Sequence, residues 1–345
     1  MKVLRSLVLA ATALLVACSP ARKPGAPAAG APIPIRFATD WRAEAEHGGF
    51  YQALAAGAYA KRGLDVKIVQ GGPGVNVPQL MAAGAVEMGI GSNAYIVASL
   101  AQEGAPLKAV AAFMQKNPQV LIAHPDAGIE TVADLKGHPI LLSDASVSTV
   151  WVWMKAKYGF TDDQVRKYTF NSAPFLADRR AAQQGYVTSE PYTLEKEAKL
   201  KPKVFLMADE GMAGYATLVL ATDSLIARNP AAVKAFVEAS AKGWYDYLNG
   251  DPSAGDALIM KDNPEMTQDV LDQARAKLKS YRIVEGDKGA ALGAMTEADW
   301  KAFFDAGIAL GLYPKTADPK RAYTLAFLPK SFWPPPFTGE GDRPP

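Results

Sequence analysis

The apolar positions Ile35, Phe37 and Ala38 form a short run that stops at Asp40, the pattern of a buried strand. Beyond it, Phe50, Leu54 and Ala58 recur at helical spacing from a start near His47-Gly48-Gly49, and Gly63 supplies a stop. Leu64, Val66 and Ile68 then alternate with Asp65 and Lys67, so a second strand follows directly. Such a strand–helix–strand unit predicts a parallel sheet, with ligands held at the carboxyl ends of its strands. Trp41, Arg42, Glu44, Glu46 and His47 all fall at that end, a flat aromatic among charged groups.

The same alternation continues along the chain. Gly71-Gly72-Pro73-Gly74 reads as a plain turn, since no lysine or hydroxyl follows in phosphate-loop register. A helix is expected over 77–83, a strand over 85–90 and a turn at Gly91-Ser92-Asn93. Ser92 or Asn93 would cap a helix over 94–102, where free N–H groups suit a polar ligand atom as well as a cap. Apolar runs at 107–114 and 120–123 read as strands, followed by helix signals at 131–136 and a strand at 140–142. The turn 143–146 leads to a helix over 148–158, placing Ser146, Ser148 and Thr149 at its start. Trp151 and Trp153 lie on that helix two residues apart, so one is assigned to the core and the other is left open to a cleft. Residues 178–184 read as a polar helix, 186–192 as a strand and turn, and 203–207 and 215–221 as strands. Asn229-Pro230 begins a long helix with Val233, Phe236, Val237, Ser240, Trp244 and Leu248 as its buried stripe. Helices over 267–278 and 296–311 complete the chain and are expected to pack back on the first lobe.

Composition narrows the function. The 345 residues carry 37 basic and 35 acidic side chains with no long run of either sign, which argues against nucleic acid as a partner. A single cysteine excludes an internal disulfide and a Cys-rich metal or iron–sulfur site. Its position accounts for it: Lys2 and Arg5 precede an apolar stretch over 7–17 that is too short to span a bilayer. The sequence Leu15-Val16-Ala17-Cys18 resembles the lipobox of bacterial lipoproteins, which implies cleavage before Cys18 and acylation of it. The small residues and prolines up to 32 read as a flexible tether, and 331–345 as a proline-rich tail.

Five stretches together resemble a known family. Asp40-Trp41 with His47-Gly-Gly-Phe-Tyr51 and Lys61-Arg-Gly-Leu-Asp-Val66, then Gly84-Ala-Val-Glu-Met-Gly-Ile-Gly-Ser92, are similar to the solute-binding proteins of ABC importers. Asp134-Leu-Lys-Gly137, Thr188-Ser-Glu-Pro-Tyr192 and Ala221-Thr-Asp-Ser224 with Asn229-Pro230 fit the same family. The branch most resembled binds thiamine-pyrimidine precursors, alkanesulfonates, taurine or nitrate, and the likeness covers about 33–330.

The resemblance implies an α/β fold of two lobes, type II-like, joined by two crossing strands. Lobe I would combine 33–115 with 215–330, and lobe II would be 120–213, after a signal peptide (1–17) and a lipidated tether (18–32). It implies capture of a small organic molecule by cleft closure and delivery to a permease and ATPase, without cofactor, metal or catalysis. The protein would be a monomer in the periplasm of a Gram-negative bacterium, anchored to the inner or outer membrane through lipid on Cys18. Trp41 matches the ring-stacking tryptophan and Glu190 the acidic position of the pyrimidine-binding branch. His47, Ser92, Asn93, Ser146, Ser148, Tyr186 and Tyr192 complete the expected ligand contacts. A carboxylate at Glu190 would accept paired N–H bonds from an aminopyrimidine and repel an anion. The heterocycle is therefore favoured over a sulfonate or other oxyanion. A lipoprotein sensor on the same fold is a further alternative. An enzyme of the eukaryotic branch would need its Cys-rich iron motif, which a chain with only Cys18 lacks.

Overall fold

The computed structural model describes residues 31–329 other than Lys288; the expected signal peptide, Cys18 with most of its tether, and the proline-rich tail lie outside these residues. Among the described residues, ten strands form two five-stranded sheets. The first contains β1 (Ile33–Ala38), β2 (Leu64–Val69), β3 (Met88–Asn93), β4 (Leu107–Met114) and β10 (Ala216–Thr222), in the order β2-β1-β3-β10-β4. The second contains β5 (Gln119–Ala123), β6 (Ile140–Leu142), β7 (Val165–Lys167), β8 (Ala182–Tyr186) and β9 (Lys203–Leu206), in the order β7-β6-β8-β5-β9. In each sheet four strands run in one direction, and the fourth in the order runs antiparallel to both its neighbours. In the second lobe that strand, β5, is the first the chain forms, and in the first lobe, β10, it is formed only on the chain's return. The chain passes between the lobes at 115–118 and returns over 207–215, so two α/β lobes are built on one plan.

Helices cover both sheets. α1 (Gly48–Ala55), α2 (Val77–Ala82) and α3 (Ala94–Gln102) belong to the first lobe. α4 (Asp144–Val147), α5 (Val150–Tyr158), α6 (Ala173–Ala177) and α7 (Glu190–Ala198) belong to the second. α8 (Asp223–Arg228), α9 (Pro230–Asn249), α10 (Ser253–Asp262), α11 (Gln268–Ser280) and α12 (Glu297–Ala309) follow the return. The stripe of α9 is buried throughout, and Phe37, Phe50, Phe113, Phe236 and Trp244 pack ring against ring beneath it. Asn229 caps α9 by accepting a hydrogen bond from the Ala232 amide, 3.1 Å away.

Four expectations need correction. Residues 91–93 form no turn, because β10 pairs with Gly91 and Asn93 and extends β3 to its end. Residues 182–184 form no helix: Gln183 and Gln184 lie inside β8 between β6 and β5, where their amides bond to Tyr168, Ser172 and Ser143. Glu190 starts α7 rather than a turn, with Pro191 in its first turn. Trp151 and Trp153 are both core residues, 1% and 2% exposed, since α5 is enclosed on two sides and turns Val152 outward.

Candidate functional site

The carboxyl ends of the parallel strands of both lobes converge on one cleft. At the end of β1, the hydroxyl of Thr39 and the amide of Gly71 donate to the Trp41 carbonyl at 2.7 and 3.1 Å. A Cβ on Gly71 would lie 2.4 Å from the Thr39 carbonyl oxygen, so only glycine lets the second loop press this close. Trp41 is thereby held half-buried on the first lobe. Its ring meets that of Phe170, which follows β7 on the second lobe, at 4.2 Å between centroids and 46° between planes.

Next to Trp41 lies a set of carboxyl groups. His47 Nε2 is 3.2 Å from Asp40 Oδ1, while its Nδ1 is buried with no partner among the described residues. Burial pushes Asp40 up, but the His47 imidazole and the Ser92 hydroxyl outweigh it and hold the group below the usual carboxylate range. Glu46, 4% exposed, accepts a hydrogen bond from the hydroxyl of Thr188, which joins the two lobes. Burial raises Glu46 despite that bond. Burial, together with the charges of Glu46, Asp40 and Glu190, raises Glu44 well above the usual range.

The second lobe contributes Tyr186 and Glu190. The Tyr186 amide donates to Glu190 Oε2 at 2.8 Å, and a Cβ at Gly185 would crowd that oxygen at 2.9 Å. Burial pushes Glu190 up to about 7, against the pull of the Tyr186 amide. The Tyr186 hydroxyl is raised by burial and by the charges of Asp40, Glu44, Glu46 and Glu190. The charges that bear on this centre are therefore mostly negative, and Arg42 turns outward to pair with Glu265 at 2.7 Å.

The structure thus brings together Trp41, His47, Ser92, Tyr186 and Glu190. It commits the other expected contacts to local bonds. Asn93 Oδ1 accepts from the Ile96 amide as the cap of α3, and Ser146 Oγ accepts from Gln119 Nε2 at 3.0 Å. Ser148 is exposed and donates to the Ala145 carbonyl, and Tyr192 donates to Asp269 on α11 at 2.6 Å. Phe170 and Thr188 were not anticipated as site residues, because a loop aromatic and a lone threonine carry no periodic signal. Asp40, Glu44 and Glu46 were legible only as charges at a strand end. A separate cavity of about 640 Å³ lies at the amino ends of β3 and β4, lined by Met81, Val86, Leu100, Leu107 and Leu225, and contains none of these groups.

The chain is 25% identical to the riboflavin-binding protein RibY of Chloroflexus aurantiacus, over 92% of this chain and 95% of that one. Among solved structures, the alkanesulfonate-binding protein SsuA of Xanthomonas axonopodis pv. citri, bound to MOPS, aligns with a TM-score of 0.62. That match is 15% identical and covers 85% of this chain and 99% of SsuA. The desulfurization enzyme DszB aligns with a TM-score of 0.53 at 12% identity, covering 86% of this chain and 97% of that one. These two likenesses show the fold, which serves both capture and catalysis. The profile of the NMT1/THI5-like family matches residues 44–254, well over half of the sequence, and the chain belongs to that family.

Proposed function

We propose that this protein is the exported solute-binding component of an ABC-type importer and captures a planar, amine-bearing heterocycle, with a thiamine-related aminopyrimidine as the favoured class. The observation that carries the reading is that the segment bearing Trp41, Asp40, Glu44 and Glu46 meets the second lobe twice, through the Trp41–Phe170 ring contact and the Glu46–Thr188 hydrogen bond, two residues from Glu190. A ring with N–H donors or positive charge finds charge-assisted acceptors there, each worth about 1.5–3 kcal/mol. Stacking on Trp41 adds roughly 0.5–1.5 kcal/mol beyond area burial. An oxyanion would meet four carboxyls, so a small sulfonate is disfavoured despite the shared fold. RibY is named for riboflavin, whose flat ring system also suits Trp41, and this makes riboflavin the second ligand to test. Lipid on Cys18 would hold the protein at the membrane beside its permease.

Closure follows only if the ligand favours the closed arrangement, which requires contacts on both lobes. Trp41 and Ser92 on one side and Tyr186 and Glu190 on the other meet that need. The test uses protein starting at Ala21, unfolded and refolded to remove bound solute, in calorimetric titrations against aminopyrimidines, riboflavin and small sulfonates. Heterocycle binding that is lost in Trp41→Ala and weakened at least about tenfold in Glu190→Gln is the expected result. Sulfonate binding indifferent to Glu190→Gln would overturn the reading.

A further inference from the structure

Trp41 and Phe170 come from opposite lobes, and their ring contact is too close to hold anything between them. A planar ring stacked on both would need about twice the 3.5 Å carbon contact distance between the two planes. The centroids are 4.2 Å apart. A ligand ring and Phe170 must therefore compete for this face of Trp41.

The segment carrying Phe170 is built for such a role. Tyr168 before it is buried, with its amide on the Leu142 carbonyl at 2.9 Å and its hydroxyl bonded by Gln183. Asn171 after it accepts from the Ala173 amide at 2.8 Å and fixes the start of α6. Between these anchors Phe170 is 40% exposed and holds φ at +62°, a conformation that aromatic residues rarely adopt. Neither full burial nor backbone preference keeps the ring where it is: it rests between Tyr168 of its own lobe, 5.2 Å away between centroids, and Trp41 across the cleft.

We propose that Phe170 is a specificity-determining gate of the cleft: it covers the stacking face of Trp41 and yields only to a planar ring that replaces its contact. This rests on the reading of the cleft as a ligand site and sharpens the ligand to flat aromatic systems. A small aliphatic sulfonate offers no surface to compensate for the lost ring contact.

Two measurements test the proposal. The first needs no ligand and uses a Trp333→Phe background, in which Trp151, Trp153, Trp244 and Trp300 are all buried to 2% exposure or less. Phe170→Ala should raise acrylamide quenching of tryptophan fluorescence by about twofold, and the rise should vanish when Trp41→Phe is added. Phe170→Gly, which accepts the positive φ without strain, should do the same and guards against a folding defect. Unchanged quenching in both variants would overturn the gate. The second measurement is stopped-flow binding of an aminopyrimidine and of riboflavin. Association in the unsubstituted protein should plateau with ligand concentration, whereas Phe170→Ala should be at least about fivefold faster and linear. Equal rates would likewise overturn it. If neither compound binds any variant, the ligand reading fails, while quenching still decides whether Phe170 covers Trp41.

Discussion

Glu190 shows how one residue links burial to function. Its carboxyl is held up to about 7 by burial, so the folded protein keeps this proton longer than the unfolded chain, where the ordinary value is 4.5. The sign follows: the group costs no stability below the unfolded value, and stability falls as pH rises from 4.5 towards about 7. The loss is at most about 3 kcal/mol. Glu44 and Glu46 shift in the same direction and extend the effect. Thermal melts at roughly pH 5 and about pH 7 should show this decline, and Glu190→Gln should shrink it. A ligand cation opposes the trend, because it favours the ionised form. At this scale the strand-end rule singled out the segment of Trp41, whereas Glu190 was reached only through the family resemblance and its place at the start of α7 was not legible. The sequence was uninformative for Asn93, Ser146 and Ser148, because capping a helix and holding a ligand call for the same short polar side chains.

Among elements, the terminal helices depend on one buried ion pair. Asp256 on α10, with its side chain 1% exposed, receives Arg275 Nη1 of α11 at 2.6 Å and Gln268 Nε2 at 2.8 Å. Arg275→Met leaves the carboxylate buried without its cation and should cost about 3–5 kcal/mol in urea unfolding. Adding Asp256→Leu should recover most of that, because the desolvated charge is then gone. No periodicity announced this pair, since long-range partners leave no local trace. The same blindness explains β8. Gln183 and Gln184 look like helix-forming surface residues, yet tertiary hydrogen bonds to Tyr168, Ser172 and Ser143 make them the interior of a sheet. Strands with apolar alternation, such as β2, or a continuous apolar run, such as β4, were legible almost to the residue.

For the whole molecule, closure is supported away from the carboxyl cluster. Tyr192 and Lys196 of α7 both donate to Asp269 of α11, at 2.6 and 2.7 Å, and Gln273 donates to the Thr188 carbonyl. These contacts span the lobes and exist only when they are together. Asp269→Asn should therefore weaken ligand binding by about two- to fivefold, with a smaller effect in about 1 M salt than in about 0.01 M. Calorimetric titration at the two salt concentrations checks it. The arrangement of the first sheet has a different consequence, one of timing. Its strand β10 fills the place between β3 and β4 but is encoded after the entire second lobe. As the chain emerges from the ribosome, β3 and β4 therefore wait with a bare edge between them, while β5 to β9 already hold everything their own sheet requires. The lobe encoded in the middle can be born complete, and the one that begins the chain must be finished last.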